Sequence, residues 1–98
     1  MATEADLSRL EKFFSAYFNE DWDYDAENPE GVVRQFKANA TPEERTMLAA
    51  AIVKYAAGFA SDKELEEGLC RERGCYYMPS VAGLSCKVWL EHIAEELR

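Results

Sequence analysis

Apolar residues repeat at helical spacing in five stretches of the chain, and no stretch shows the alternation typical of a strand. The first stretch predicts a helix from Asp6 to Phe18. The second and third helices are predicted to begin at Asn28-Pro29 and Thr41-Pro42, because a polar cap residue followed by proline favours a helix start. The fourth, from about 61 to 69, opens with a capping-box pattern, and the fifth spans about 85–97.

The third predicted helix is expected to lie at the centre of the fold. It carries the longest apolar stripe, from Met47 to Phe59, and its many alanines allow neighbouring helices to approach closely. The predicted fold is therefore all-α, a single compact domain over residues 1–98 with about five helices packed around the third one. The predicted core consists of Leu10, Phe13, Phe14, Tyr17, Val33, Phe36, Leu48, Ile52, Tyr55, Leu65, Val88, Trp89 and Ile93.

Between the first two predicted helices lies the acidic segment, residues 20–30, with six carboxylates, no base and the aromatic residues Trp22 and Tyr24. Neither helical nor strand patterning continues through it, so it is predicted to be a loop. Its carboxylates repel one another unless a cationic partner neutralises them. Tryptophan and tyrosine are favoured interface anchors. The sequence favours two interpretations of Trp22 equally: it contacts a partner, or it folds back onto the core.

The composition excludes several classes of partner. The chain has 98 residues, of which 48% are hydrophobic, enough for a packed core, but no apolar run approaches the roughly 20 residues that span a bilayer. The formal net charge of −8 disfavours nucleic acid and anionic membranes and favours a basic protein surface. The first six residues carry two acids and no base, unlike a signal peptide, so a cytoplasmic location is expected.

The three cysteines raise the possibility of a zinc site. Cys70, Cys75 and Cys86 together with His92 are suitable ligand types, at the spacing C-x4-C-x10-C-x5-H. Cys86 and His92, however, are six residues apart on a predicted helix and should lie on different faces. An odd number of cysteines also argues against a disulfide framework and fits a reducing compartment. Free thiols are the favoured interpretation, and no metal or other cofactor is predicted.

Two further candidate sites are weak. Asp21, Asp23 and Asp25 resemble the opening of a calcium loop, but the pattern requires glycine and glutamate where this chain has Ala26 and Val32. The single histidine has no serine or cysteine signature that would make it a catalytic base. The sequence therefore predicts a binding protein without catalytic residues.

Several segments resemble one family, the bacterial contact-dependent growth inhibition immunity proteins. The resemblance extends from Leu10 to Leu97, and its most specific part is the stretch Tyr17-Phe18-x-x-Asp21-Trp22. The other matching segments are Pro29-Glu30-x-Val32-Val33, Gly74-x-x-Tyr77-x-Pro79, Gly83-x-Ser85 and Trp89-Leu90.

The resemblance implies a small helical protein that binds the C-terminal toxin domain of a large exported protein, often a nuclease, and neutralises it in the cytoplasm. The acidic segment is then the predicted contact surface for the toxin's basic groups. The predicted toxin-binding residues are Glu20, Asp21, Trp22, Asp23, Tyr24, Asp25 and Glu27. Two alternatives stay open: a small acidic adaptor or regulatory subunit for an unrelated basic protein, and a zinc-dependent enzyme or structural zinc domain that uses the cysteines.

Overall fold

The computed structural model describes residues 2–26 and 28–98, without the side chain of Asp25. All regular structure in these residues is helical. None of the helices in this part of the chain is long and apolar enough to cross a membrane. The elements are α1 (Glu4–Tyr17), α2 (Trp22–Asp25), α3 (Pro29–Asn39), α4 (Pro42–Ala57), α5 (Asp62–Glu72), a 3₁₀-helix (Pro79–Ala82) and α6 (Cys86–Leu97).

The helix starts lie close to the predicted positions because side chains cap them locally. The side chain of Asn28 accepts a hydrogen bond from the Gly31 N–H at 2.9 Å at the start of α3. At the start of α4, Thr41 and Glu44 form a reciprocal capping box. A further capping box between Thr3 and Asp6 begins α1 at Glu4, two residues before the predicted start.

The third predicted helix, α4, occupies the centre, as expected. It packs most extensively against α6 and α1. Small alanine side chains on its buried face let these two helices approach closely. The buried residues of α4 are Leu48, Ala49, Ala51, Ile52, Tyr55 and Ala56.

The acidic segment is not entirely a loop, so that prediction was wrong in part. Residues 22–25 form one short helix, α2. Asn19 initiates it: its side chain accepts a hydrogen bond from the Asp21 N–H at 3.0 Å, and its carbonyl accepts one from the Trp22 N–H at 3.1 Å. A four-residue helix is too short to show a 3.6-residue repeat, which is why its sequence pattern did not indicate it.

Most of the predicted core is confirmed, with one clear error in α6. Val88 is 42% exposed, because the buried face of this helix follows a different stripe. Met47, part of the apolar stripe predicted for α4, is also exposed, whereas Phe18, which was absent from the predicted core, is fully buried. The buried residues of α6 are Cys86, Trp89, Leu90, Ile93, Ala94 and Leu97.

Candidate functional site

The carboxylates at the start of the acidic segment face solvent. Glu20, Asp21 and Asp23 are exposed. None of the three forms an ion pair with any residue of the described part of the chain. The backbone of Asp25 closes α2, but its side chain and the whole of Glu27 lie outside the described residues. The three described carboxylates are therefore available to a cationic partner.

The two aromatic residues of the acidic segment have different surroundings. The Trp22 ring is partly buried, with its centroid 6.0 Å from that of Phe18 and 5.5 Å from that of Tyr77. This packing supports the interpretation in which Trp22 folds back onto the core. Tyr24, in contrast, is 84% exposed. Trp22 holds α2 against the body of the protein, while Tyr24 projects into solvent.

Beside α2 lies an apolar groove of about 360 Å³. Three of its lining side chains are substantially exposed: Tyr76 by 61%, Met78 by 46% and Val81 by 83%. Sequence reasoning missed this groove, because residues 71–79 lack periodicity and were interpreted only as a break between helices. The residues that line the apolar groove are Trp22, Tyr76, Tyr77, Met78, Val81 and Ala82.

The irregular segment that forms the apolar groove is fixed by hydrogen bonds at both ends. The Tyr76 N–H donates to the Phe18 carbonyl at 2.8 Å. The Glu66 carboxylate accepts two hydrogen bonds from Ser80, from its N–H at 3.0 Å and its hydroxyl at 2.8 Å. Gly83 then ends the 3₁₀-helix in the left-handed region, at φ +79°.

Two aromatic residues that line the apolar groove are connected to the core by ring contacts. The Tyr77 ring contacts both Trp22 and Trp89, with ring centroids 5.5 Å and 4.9 Å away. Trp89 packs in turn edge-to-face against buried Phe18 at 5.3 Å. Such aromatic pairs each contribute about 0.5–1.5 kcal/mol beyond their area burial. Two residues that line the groove, Trp22 and Tyr77, are thus part of the packed structure.

Two larger clefts show no catalytic arrangement among the side chains that the structure describes. One, of about 550 Å³, lies between α1, α3 and α4, and its polar lining includes Arg9, Lys12 and Glu44. The other, of about 420 Å³, contains His92 beside Glu95 and other carboxylates, and none of the described residues that line it is a serine or cysteine.

The cysteines and His92 do not converge. Cys86 is buried on α6, whereas His92 on the same helix is exposed, so the two lie on different faces, as predicted. Across residues 2–26 and 28–98, no three His, Cys, Asp or Glu side chains are grouped so that they could hold a metal ion. The thiols of Cys70 and Cys75 both contact the Tyr77 carbonyl oxygen, at 3.8 Å and 3.3 Å.

Comparison with known proteins gives two matches that cover almost the whole chain. A family model described as CdiI immunity protein matches residues 6–97. Among solved structures, the chain is similar to a chain of the crystal structure of the CdiA-CT/CdiI complex from Y. kristensenii 33638. The two are 28% identical with a TM-score of 0.86, over 99% of this chain and 98% of that one. No curated protein matches the sequence.

Proposed function

The chain belongs to the CdiI immunity protein family, and on that premise we propose that it binds the C-terminal toxin domain of its cognate CdiA protein and neutralises it. The observation that carries the proposal is the agreement over nearly the full length with a chain from a CdiA-CT/CdiI complex. The protein acts as a stoichiometric inhibitor and not as an enzyme. Its role then requires a surface complementary to the toxin and no reacting group.

The toxin is proposed to be a nuclease, bound in the cytoplasm through the acidic segment. A nuclease presents a cationic cleft to its phosphate-rich substrate. The net charge of −8 steers an inhibitor towards such a cleft. Exposed Glu20, Asp21 and Asp23 supply carboxylates that meet no cation within the described chain.

Co-expression with the toxin domain encoded by the adjacent exoprotein gene tests this function. We expect cells that produce both proteins to grow and the two chains to purify as a 1:1 complex. Toxicity that persists at equal expression, with no complex on a sizing column, contradicts the proposal. Capture of an unrelated basic protein in place of the toxin favours the adaptor alternative.

Charge reversal tests the contact surface separately. The variant Asp21→Lys/Asp23→Lys should weaken toxin binding about tenfold or more, mainly through slower association. The matched control Glu91→Lys/Glu95→Lys changes the net charge equally on the exposed face of α6. Equal affinities for the two variants, measured by biolayer interferometry at 0.05 and 0.3 M salt, indicate that the acidic segment does not contact the toxin.

A further inference from the structure

We propose that the apolar groove is the anchor site for the toxin, and that it takes an apolar side chain from a toxin segment whose neighbouring residues are basic. This inference rests on the proposed function. It adds a second component to the contact surface, beside the carboxylates of the acidic segment, and it specifies the chemistry of the toxin segment that docks there.

The first argument is the exposure of the lining residues. Val81 and Tyr76 are 83% and 61% exposed, and Met78 beside them is 46% exposed. Single exposed apolar residues are normal on a protein surface, but several that line one groove mark an interaction site. Large apolar and aromatic side chains of this kind form the buried centre of protein interfaces. The groove therefore extends the apolar part of the contact surface beyond Trp22 and Tyr24 of the acidic segment.

The second argument is charge complementarity, which decides between possible occupants. Trp22 lines the groove and also belongs to α2, where its sequence neighbours Asp21 and Asp23 are exposed carboxylates. A segment with an apolar residue between basic ones satisfies both the groove and these acids. A second copy of this chain would instead bring like charges together, given its net charge of −8. The toxin is therefore the occupant that the charges favour.

The third argument is that the groove is formed before binding. The hydrogen bonds from Ser80 to Glu66 and from Tyr76 to Phe18 hold the segment that carries the exposed side chains. Tyr77, which also lines the groove, packs against Trp89, with ring centroids 4.9 Å apart. A surface that needs little ordering on binding loses less conformational entropy, which favours affinity.

The test compares polar substitutions inside and outside the groove in the full-length protein. The double variant Tyr76→Gln/Val81→Gln removes the apolar rim without changing charge. The control Val53→Gln/Val88→Gln alters two exposed valines that do not line the groove, one on α4 and one on α6. Affinity for the purified, catalytically inactivated cognate toxin domain is measured by calorimetry, and folding is checked by thermal unfolding.

We expect the groove variant to bind about thirtyfold or more weakly than wild type and the control to remain within about threefold. Val81→Gln alone keeps the test decisive if the double variant unfolds, because an 83% exposed side chain contributes little to the core. Unchanged toxin affinity in Val81→Gln and in a folded double variant overturns the inference and leaves the proposed function intact. Absence of toxin binding by the wild type contradicts the proposed function itself.

A second copy of this chain is the other possible occupant of the groove, and sedimentation velocity distinguishes it from the toxin. A wild-type dimer that the groove substitutions convert into a monomer, with toxin affinity unchanged, assigns the groove to contacts between copies of the chain and overturns the inference. A monomeric wild type that binds the toxin through the groove supports it.

Discussion

The Asp62 carboxylate on α5 accepts a hydrogen bond from the Ser85 hydroxyl at 2.9 Å, although the two residues are 23 positions apart. The same carboxylate accepts backbone N–H hydrogen bonds from Cys86 and Lys87, each at 2.9 Å. These N–H groups belong to the first turn of α6, where the helix dipole favours a negative charge. Asp62 thus acts as a second cap for α6 and fixes the start of that helix against α5.

The Asp62 cap makes stability depend on pH in a defined direction. Partial burial raises the pKa of the Asp62 carboxyl, but the three hydrogen bonds lower it more, so this pKa lies below the ordinary value of 3.8. The folded protein then binds the proton more weakly than the unfolded chain. The stabilisation is complete above the unfolded-state pKa and is lost as the pH falls through the lower pKa of the folded state.

Replacing Asp62→Asn should therefore lower the free energy of unfolding by about 1 kcal/mol at pH 7, a capping contribution reduced by solvent exposure. The difference from wild type should shrink as the pH falls below 3.8, as measured by urea unfolding across a pH series. Glu67→Gln, on the exposed side of the same helix, is the control. If Asp62→Asn lowers the free energy of unfolding equally at every pH, the charge of the Asp62 carboxylate is not what stabilises the protein.

Two glycines should respond oppositely to alanine. Gly83→Ala should cost about 1 kcal/mol, because an L side chain is strained at φ +79° even though open space surrounds the position. Gly58→Ala should raise stability by about 0.4–1 kcal/mol, because alanine restricts the unfolded chain more than glycine does. The native φ of −86° suits alanine, and its Cβ would lie at an ordinary 3.5 Å from the Tyr55 carbonyl oxygen. Chemical denaturation of both variants measures this contrast, and a loss of stability in Gly58→Ala goes against it.

The revised core predicts a large difference between Phe18 and Val88. Phe18→Ala should cost about 3–5 kcal/mol, because the ring is fully buried among other aromatic residues and its removal leaves a cavity. Val88→Ala should change stability by less than about 0.5 kcal/mol, since this side chain is 42% exposed and alanine favours a helix. Urea midpoints give both values; comparable losses at the two positions argue against the packing described for α6.

The three thiols should react at very different rates. A hydrogen bond from the Cys75 thiol lowers the pKa of half-buried Cys70 and raises that of Cys75 itself. Burial raises the pKa of Cys86 to about 12. Since the thiolate is the reactive form, iodoacetamide at pH 8 should modify one cysteine in the native protein and three in denaturant. Peptide mass spectrometry identifies the modified site; rapid labelling of Cys86 contradicts the expectation.

Helix boundaries could be predicted from the sequence because their signals are local. Asn28, Thr41 and Ser85 each cap a helix through a hydrogen bond to a residue three positions ahead, so a short stretch of sequence contains the whole interaction. The short helix α2 is different. Trp22, its first residue, packs on Tyr77, far away in the chain, and this contact leaves no trace in the periodicity.

The carboxylates and aromatic residues of the acidic segment could be proposed as a contact surface from the sequence, whereas the rest of the apolar groove could not. Consecutive carboxylates such as Glu20 and Asp21 are visible in the sequence, and the structure places both in solvent. The apolar groove brings Trp22 beside residues 76–82, which lie in a segment without helical or strand repeat. The prediction that Val88 is buried was wrong for a related reason. More than one face of α6 carries apolar residues, and only packing against α4 and α5 decides which face is buried.

The two tryptophans of the chain differ in a way that gives the protein an intrinsic optical signal. Trp89 is 5% exposed and does not line the apolar groove, so its emission should change less than that of Trp22 when the groove is occupied. Trp22 is half-buried and lines the apolar groove. A side chain that enters the groove displaces water from the Trp22 indole and shifts its fluorescence to the blue, so occupancy of the groove can be followed in unlabelled protein.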